Sequence, residues 1–271
     1  MKRGRFGSGI AIGALSLFAA APLVWALVAS FRPETALFGG GAWGEAWTLS
    51  HYSALFTKRS FWLPIRNSLV VAGATSFLAV VLGSLAAYGL ARLRFRGRGA
   101  ILAFILGVSM FPQISIVSPL FMILRALHLI DTYPGLIAPY LTFALPLAVW
   151  LLTSYFHQIP VDLEEAARID GASRWQVFSR VVLPLAAPGI ATTAILTFIY
   201  CWNEFLFALS FTLGPERQTV PVAIALFRGQ YQVPWGEILA AAVIATIPVA
   251  ALVLLFQRRI VTGLTAGATK G

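Results

Sequence analysis

Ten carboxylates, three histidines and one cysteine could support acid–base, metal or nucleophilic chemistry in this chain of 271 residues. Their spacing supports none of the three. Glu164 and Glu165 are adjacent in a helix-forming stretch, where neighbouring side chains point about 100° apart. They therefore cannot form an acid–base set with Asp170. His51, His128 and His157 are not at metal-ligand spacing from one another, and Cys201 lies alone in an apolar run. No G-x-x-x-x-G-K-[ST] segment is present to cradle phosphates. No catalytic residue, metal or cofactor is expected. The chemistry that remains is recognition. Glu165 and Asp170 offer acidic groups to a basic surface. Gln113, Ser115, Asn203 and Glu204 place polar groups inside apolar runs, where an ionisable side chain is a functional hypothesis by default.

The elements that must position these groups are membrane spans. The chain is 59% hydrophobic and 11% charged, with a mean hydropathy of +0.82, and a soluble domain of this size could not hide so much apolar surface. The net charge of +10 is spread in small groups beside apolar runs. Nucleic-acid binding needs a basic patch or stripe and is excluded. A span needs about 20 mainly apolar residues. Six segments qualify: Ile10 to Phe31, Asn67 to Ala91, Ile101 to Leu124, Tyr133 to Phe156, Leu185 to Leu206 and Ile238 to Gln257. None contains Lys or Arg, and only the fifth contains a carboxylate, Glu204. Basic residues precede the first run, as in a signal peptide. It is uncharged from Phe6 through Phe31, however, longer than a typical signal core, so a retained span is expected.

With the N-terminus inside, 13 of the 20 basic residues fall on the inner side and 7 on the outer. The RLRFRGR cluster after the second span is the strongest single indicator. Both termini are expected in the cytoplasm of a bacterial or archaeal cell, the protein being a multi-pass component of its inner (plasma) membrane. The expected division is a cytoplasmic N-terminus (1–9), a six-span domain (10–257) and a cytoplasmic tail (258–271).

One inner connection is unusual. Asp162 to Pro188, 27 residues, predicts two short amphipathic helices rather than a turn. Asp162 with Glu165, and Ser173 with Gln176, have the spacing of capping boxes. Gly171 stands between them, where a left-handed residue ends one helix. Pro184 breaks the pattern. Trp175, Phe178, Val181 and Val182 share one helical face, an apolar stripe suited to a hydrophobic groove. Ala166, Ala167 and Ala172 are small enough for a partner to approach the backbone. These residue types fit a docking element. They fit equally a hairpin lying on the inner leaflet, with Arg168, Arg174 and Arg180 toward the lipid.

Residues 165 to 184 read E-A-A, three residues, G, nine residues, V-x-L-P. This resembles the "EAA" loop of permease subunits of bacterial ATP-binding-cassette importers, with Val181 where isoleucine is usual. FPQISIVSPLF (Phe111 to Phe121), LIDTYPGLIAPY (Leu129 to Tyr140), the W-N-E-F run at Trp202 to Phe205, and the terminal GLTAGATKG (Gly263 to Gly271) resemble the carbohydrate branch. The similarity is to the second, smaller permease of maltose- and trehalose-type systems. It implies an all-α integral membrane protein with the six-span type I importer fold, and a coupling loop at 157–189. Glu165, Ala166, Ala167, Asp170, Gly171, Ala172, Trp175 and Phe178 would then meet a cytoplasmic ATPase, and the C-terminal tail would reach toward the ATPase dimer interface. The implied partners are a companion permease, two ATPase subunits, an external solute-binding protein, membrane lipid and a sugar, as a disaccharide such as trehalose or maltose.

Gln113, Ser115, Asn203 and Glu204 are the candidates for the sugar path. Glu204 lies about 20 residues after Pro184, close to the outer interface by helical rise. There it suits either a structural pairing or a sugar-lined cavity. Tyr200 and Trp202 suit sugar stacking or an interfacial belt. Pro112 and Pro119 in the third span, and Pro139 and Pro146 in the fourth, predict kinks around a path or at helix contacts. The outer loops 32–66 (with Gly39 to Gly41, Trp43, Trp47, Tyr52 and Trp62) and 214–237 (with FRGQYQVPWG) would face the binding protein. The rival classes are a permease for another small solute and an ion-coupled transporter. The latter should carry midplane ionisable groups and often an internal repeat, which are not evident here.

Overall fold

The computed structural model describes residues 3–38, 47–93, 95–227 and 233–266, with side chains from 12 to 257 within those ranges. No strand occurs among the described residues. In chain order the helices are α1 (Arg3–Ala29), α2 (Glu34–Phe38), α3 (Ser50–Thr57), α4 (Trp62–Arg92), α5 (Arg98–Ser109), α6 (Gln113–Ala126) and α7 (Tyr133–Gln158). There follow α8 (Val161–Ile169), α9 (Arg174–Val177), a π-helical turn (Phe178–Val182), α10 (Leu183–Leu185), α11 (Ala187–Trp202), α12 (Leu206–Phe211), α13 (Val220–Ala225) and α14 (Trp235–Ala266).

Four stretches cross a bilayer by length and composition: Ile12–Ala29, Trp62–Arg92, Tyr133–Gln158 and Trp235–Gln257. Two further helix pairs have the length and composition of a span only when taken together, each being a broken span or a re-entrant loop. Arg98–Ser109 and Gln113–Ala126 meet at 87°, and Arg174–Leu185 and Ala187–Trp202 meet at 75°. The protein is thus an all-helical, multi-span membrane protein with up to six spans. The third is interrupted at Pro112, where a kink is expected, whereas the break before α11 has no counterpart in the expected fifth span. Pro112 takes an extended conformation at the start of α6, and a proline there excludes its predecessor from helical geometry. In the fifth, Ala186 separates α10 from α11, and Pro188 occupies the first turn of α11. By contrast α7 runs unbroken through Pro139 and Pro146, both buried.

The chain forms two compact units, Met1–Trp62 with Ala223–Pro248, and Leu63–Val222 with Val249–Gly271. In the second, α4 buries Ala72, Ser76, Ala79, Gly83 and Ala87, a stripe of small residues at helical spacing. Between helices in lipid, where hydrocarbon offers no hydrophobic drive, such a stripe permits close backbone packing and short polar contacts. Gly83 meets Ala148 of α7, and Ser76 Oγ donates to the Ala194 carbonyl of α11 at 2.8 Å. The LIDTYPG motif is a helix start. Thr132 caps α7 by accepting from the Gly135 amide at 3.2 Å, and any Cβ at Gly135 would collide with the Leu129 carbonyl. Asp131, at a positive φ of 60°, accepts the Leu213 amide at 3.1 Å and so ties this start to the segment after α12.

In the first unit, Leu55 and Phe61 are fully buried, and His51 Nε2 lies 2.8 Å from the Arg32 carbonyl. Arg59 pairs with Glu237 at 2.8 Å while its guanidinium covers the Phe227 ring. Gly39 to Gly41, Trp43, the Arg228–Gln232 part of FRGQYQVPWG and the end of the tail (267–271) lie outside the described residues.

Candidate functional site: a hairpin fastened to its own spans

The connection between α7 and α11 is folded as a hairpin, and its turn is built by Gly171. Helix α8 ends in a Schellman arrangement. The Gly171 amide donates to the Arg168 carbonyl at 3.0 Å, and the Ala172 amide to that of Ala167 at 2.9 Å. This closure requires the φ of +86° that Gly171 adopts. Helix α9 then starts at a complete capping box. Ser173 Oγ accepts the Gln176 amide at 3.3 Å, and the Gln176 side chain accepts the Ser173 amide at 2.8 Å. The matching box expected at Asp162 and Glu165 does not form. Helix α8 begins two residues earlier, with Pro160 as N-cap, so Asp162 occupies the first turn without capping. Proline's fixed φ preorganises that start.

The apolar stripe faces the protein's own spans. Phe178 is only 4% exposed and Val182 is fully buried, in a cluster with Val177, Ala186, Ala87 and Ala91 of α4, and Leu152 and Phe156 of α7. Ala167 and Ala172 pack against the same cluster. The π turn adds a residue to the coil, so that Val177, Phe178, Val182 and Ala186 all reach this side. Of the stripe, Trp175 alone is strongly exposed, at 64%. The expectation that Phe178 is presented to a partner is corrected here, because helical spacing marks an apolar face but not which surface covers it.

Beside the cluster is a buried ion pair. Arg92, the last residue of α4, donates from Nε to Glu164 in the first turn of α8, and their side chains are 8% and 2% exposed. The Tyr88 hydroxyl donates to the other Glu164 oxygen at 3.0 Å. Arg92 also donates from Nη2 to the Ile159 carbonyl at 2.8 Å. Both carboxylate oxygens are satisfied, the condition under which a buried charge is tolerated. In the sequence Arg92 is part of the topology-setting RLRFRGR cluster and Glu164 is a carboxylate excluded from an acid–base set, with no partner marked for either. The two lie 72 positions apart, and nothing local signals their pairing.

The opposite side of the hairpin is uncovered. Glu165, Ala166, Asp170 and Gly171 are exposed, and Ile169 is 86% exposed. An isoleucine and a tryptophan standing out among exposed charges of both signs, Glu165 and Asp170 with Arg168 and Arg174, on a hairpin anchored from behind, make a surface that offers apolar area in a charged setting. Ile169 was not among the expected site residues. Its exposure is the only signal, and that is invisible in sequence.

Of the four path candidates, Gln113 at the start of α6 donates to the Tyr200 hydroxyl of α11 at 2.8 Å. Ser115 is exposed on α6. Asn203 is exposed at the end of α11, and its side chain donates to the Ile199 carbonyl at 2.8 Å. Glu204 is buried. Its two oxygens accept the amides of Phe207 at 2.8 Å and Ala208 at 3.1 Å, so the carboxylate satisfies the start of α12. Trp202 is buried and stacks on Phe198 at 5.8 Å.

Membrane-crossing helices joined through a hairpin that is packed on its own spans on one side and bare on the other define a multi-span membrane protein with an exposed docking element. Residues 79–265 match the family of binding-protein-dependent transport system inner membrane components, and the chain belongs to that family. It is 47% identical over 256 residues to the trehalose transport system permease protein SugB of Mycobacterium tuberculosis, spanning 94% of this chain and 93% of that one. It is 46% identical to the trehalose/maltose transport system permease protein MalG of Thermococcus litoralis, over 92% and 91% of the two chains. Among solved structures, a chain of a bacterial ABC transporter that imports the acidic polysaccharide alginate superposes with a TM-score of 0.76. That match has 26% identity and covers 95% of this chain and 98% of the other.

Proposed function

We propose that the chain is one of two pore-forming permeases of an ATP-driven sugar importer, with trehalose- or maltose-type disaccharides as cargo. The observation that carries this reading is the hairpin Val161–Val182, covered on one side by its own spans and bare on the other. The bare side is offered to one of two cytoplasmic ATPase subunits. The companion permease completes the path, and a solute-binding protein delivers sugar from outside. Both termini and the hairpin are cytoplasmic. Closure of the ATPase pair pushes the hairpin. Because Phe178 and Val182 are packed on α4 and α7, the push is passed to those spans and the path changes the side on which it opens. Family membership supports the class of importer, and the names of the relatives support the cargo. The deciding experiment reconstitutes the four kinds of subunit in liposomes and measures ATP hydrolysis with the binding protein preloaded with trehalose, maltose or neither. Stimulation by one sugar supports the reading, and uptake without ATPase subunits overturns it.

The coupling residues are proposed in two groups. Glu165, Ala166, Asp170, Ile169 and Trp175 touch the ATPase, whereas Ala167, Gly171, Ala172 and Phe178 hold the hairpin in shape. Ile169→Glu with Trp175→Ala is expected to leave the permease inserted and to weaken ATPase association at least about 30-fold, the scale of losing a buried interface anchor. Co-purification of the ATPase with tagged permease reads this, and unchanged recovery assigns the contact elsewhere.

Gln113, Asn203 and Ser115 remain proposed for the sugar path, with Tyr200 added beside Gln113. Glu204 is proposed as a helix cap. Glu204→Gln, which keeps one acceptor, is expected to transport normally. Glu204→Ala should lose about 1 kcal/mol of stability, typical of a deleted cap, visible as a lower melting temperature. Defective transport by the glutamine variant, at normal abundance, would place the charge on the path instead.

A further inference from the structure

We infer that the Arg92–Glu164 pair, with Tyr88, is the tie that makes α8 and α4 move as one body, so that its loss disconnects ATP hydrolysis from transport. The inference rests on the importer reading above and adds to it the residues that carry motion across the hairpin–span junction.

Three features separate this pair from an ordinary stabilising contact. The first is its place. Arg92 ends α4 and Glu164 begins α8, so each charge sits at the helix end whose dipole favours it. The contact therefore joins two helix ends that could otherwise swing independently. The second is direction. The apolar cluster of Phe178, Val182, Leu152 and Phe156 resists separation but is non-directional, and helices packed through it can slide. The fork of Arg92 also reaches the Ile159 carbonyl, which fixes the junction of α7 and α8 to the end of α4. Hydrogen bonds at three points thus set one orientation. The third is dispensability for stability. A buried pair is often replaceable by apolar side chains of similar volume without loss of fold, whereas deleting one partner strands a charge. Folding alone does not demand these residues.

That contrast supplies the test. The assembled importer would be compared with two variants, Glu164→Gln and the double variant Arg92→Met with Glu164→Leu. Three quantities are read: the amount of complex, sugar moved per ATP hydrolysed, and a spin-label distance between Leu85 of α4 and Asp162 of α8. Both labelled sites are exposed, and the labelling background is Cys201→Ser. The double variant is expected to assemble at near wild-type abundance while moving about tenfold less sugar per ATP, within the range by which mutations along a coupling route alter it. Its label distance should broaden or change on ATP binding, while in the wild type it stays narrow and constant. A stabilising role alone predicts that the double variant recovers both abundance and coupling, and that outcome overturns the inference. Loss of assembly in both variants overturns it too, since the pair would then serve folding. If the double variant alone fails to assemble, the ratio in Glu164→Gln decides. If the wild-type complex moves no sugar, the importer reading falls. The label distance needs no cargo and still judges the tie.

Discussion

Replacing Gly171 by valine is expected to leave the complex assembled and hydrolysing ATP while cutting sugar uptake by at least about tenfold. No neighbouring atom would meet a Cβ at this position, so the substitution creates no collision. Its whole effect comes from the backbone. A left-handed conformation costs an ordinary L-residue roughly 1–2 kcal/mol, and a β-branched one suffers most. At a φ of +86° the valine chain relieves that strain by opening the Schellman closure, which withdraws Ala172 from the cluster and tilts α9 relative to α8. The hairpin survives as two helices but loses its fixed angle, and the ATPase pushes on a joint instead of a lever. Gly171→Asn is the control, since asparagine tolerates this conformation well. It should keep most of the uptake. Measuring uptake per ATP in proteoliposomes matched for complex content decides the matter, and normal coupling in the valine variant would show that the turn angle is not needed.

The amino-acid sequence was most informative where a single local cause acted. Gly171 announced a left-handed turn because it separates two helical patterns, and Ser173 with Gln176 announced a start by spacing alone. The number of spans followed from apolar length. Non-local causes were not legible. The Arg92–Glu164 pair joins residues that no periodicity relates, and a charge cluster beside a span reads as topology whether or not one member is buried. Phe178 shows the limit of amphipathic patterns: the stripe was real, but its own spans cover it, and the apolar residue left exposed on the other side is Ile169, set among polar neighbours. The third and fifth spans show another limit. Pro112 marked an interruption of the third, but nothing expected marked the break at Ala186, and neither the 87° nor the 75° bend follows from a local signal. At Asp162 two start signals competed within three residues, and Pro160 prevailed.

Helix α11 meets α7 at a tight joint, and it yields a strong stability prediction. A Cβ at Gly189, in the first turn of α11, would lie 2.4 Å from the ring of Tyr155 on α7, with two further ring carbons within 2.7 Å. Real Cβ atoms do not approach that closely, and an aromatic ring flanked by helices cannot yield as the tip of a flexible chain can. The helices must separate instead, which disturbs the Ser76 contacts to Ala194 and Thr197 of α11. Gly189→Ala is expected to cost about 1–3 kcal/mol, the usual range for overpacking, and Gly189→Val more. In detergent this reads as a lower melting temperature and a reduced yield of folded permease. Tyr155→Leu should restore the alanine variant, because it removes the ring along with a buried hydroxyl that finds no hydrogen-bond partner among the described residues. Gly73 supplies the comparison: it lies within α4, where a Cβ would meet nothing within 4 Å, so Gly73→Ala should be neutral or slightly stabilising. Equal melting temperatures for the two alanine variants would mean that α7 and α11 do not pack this closely.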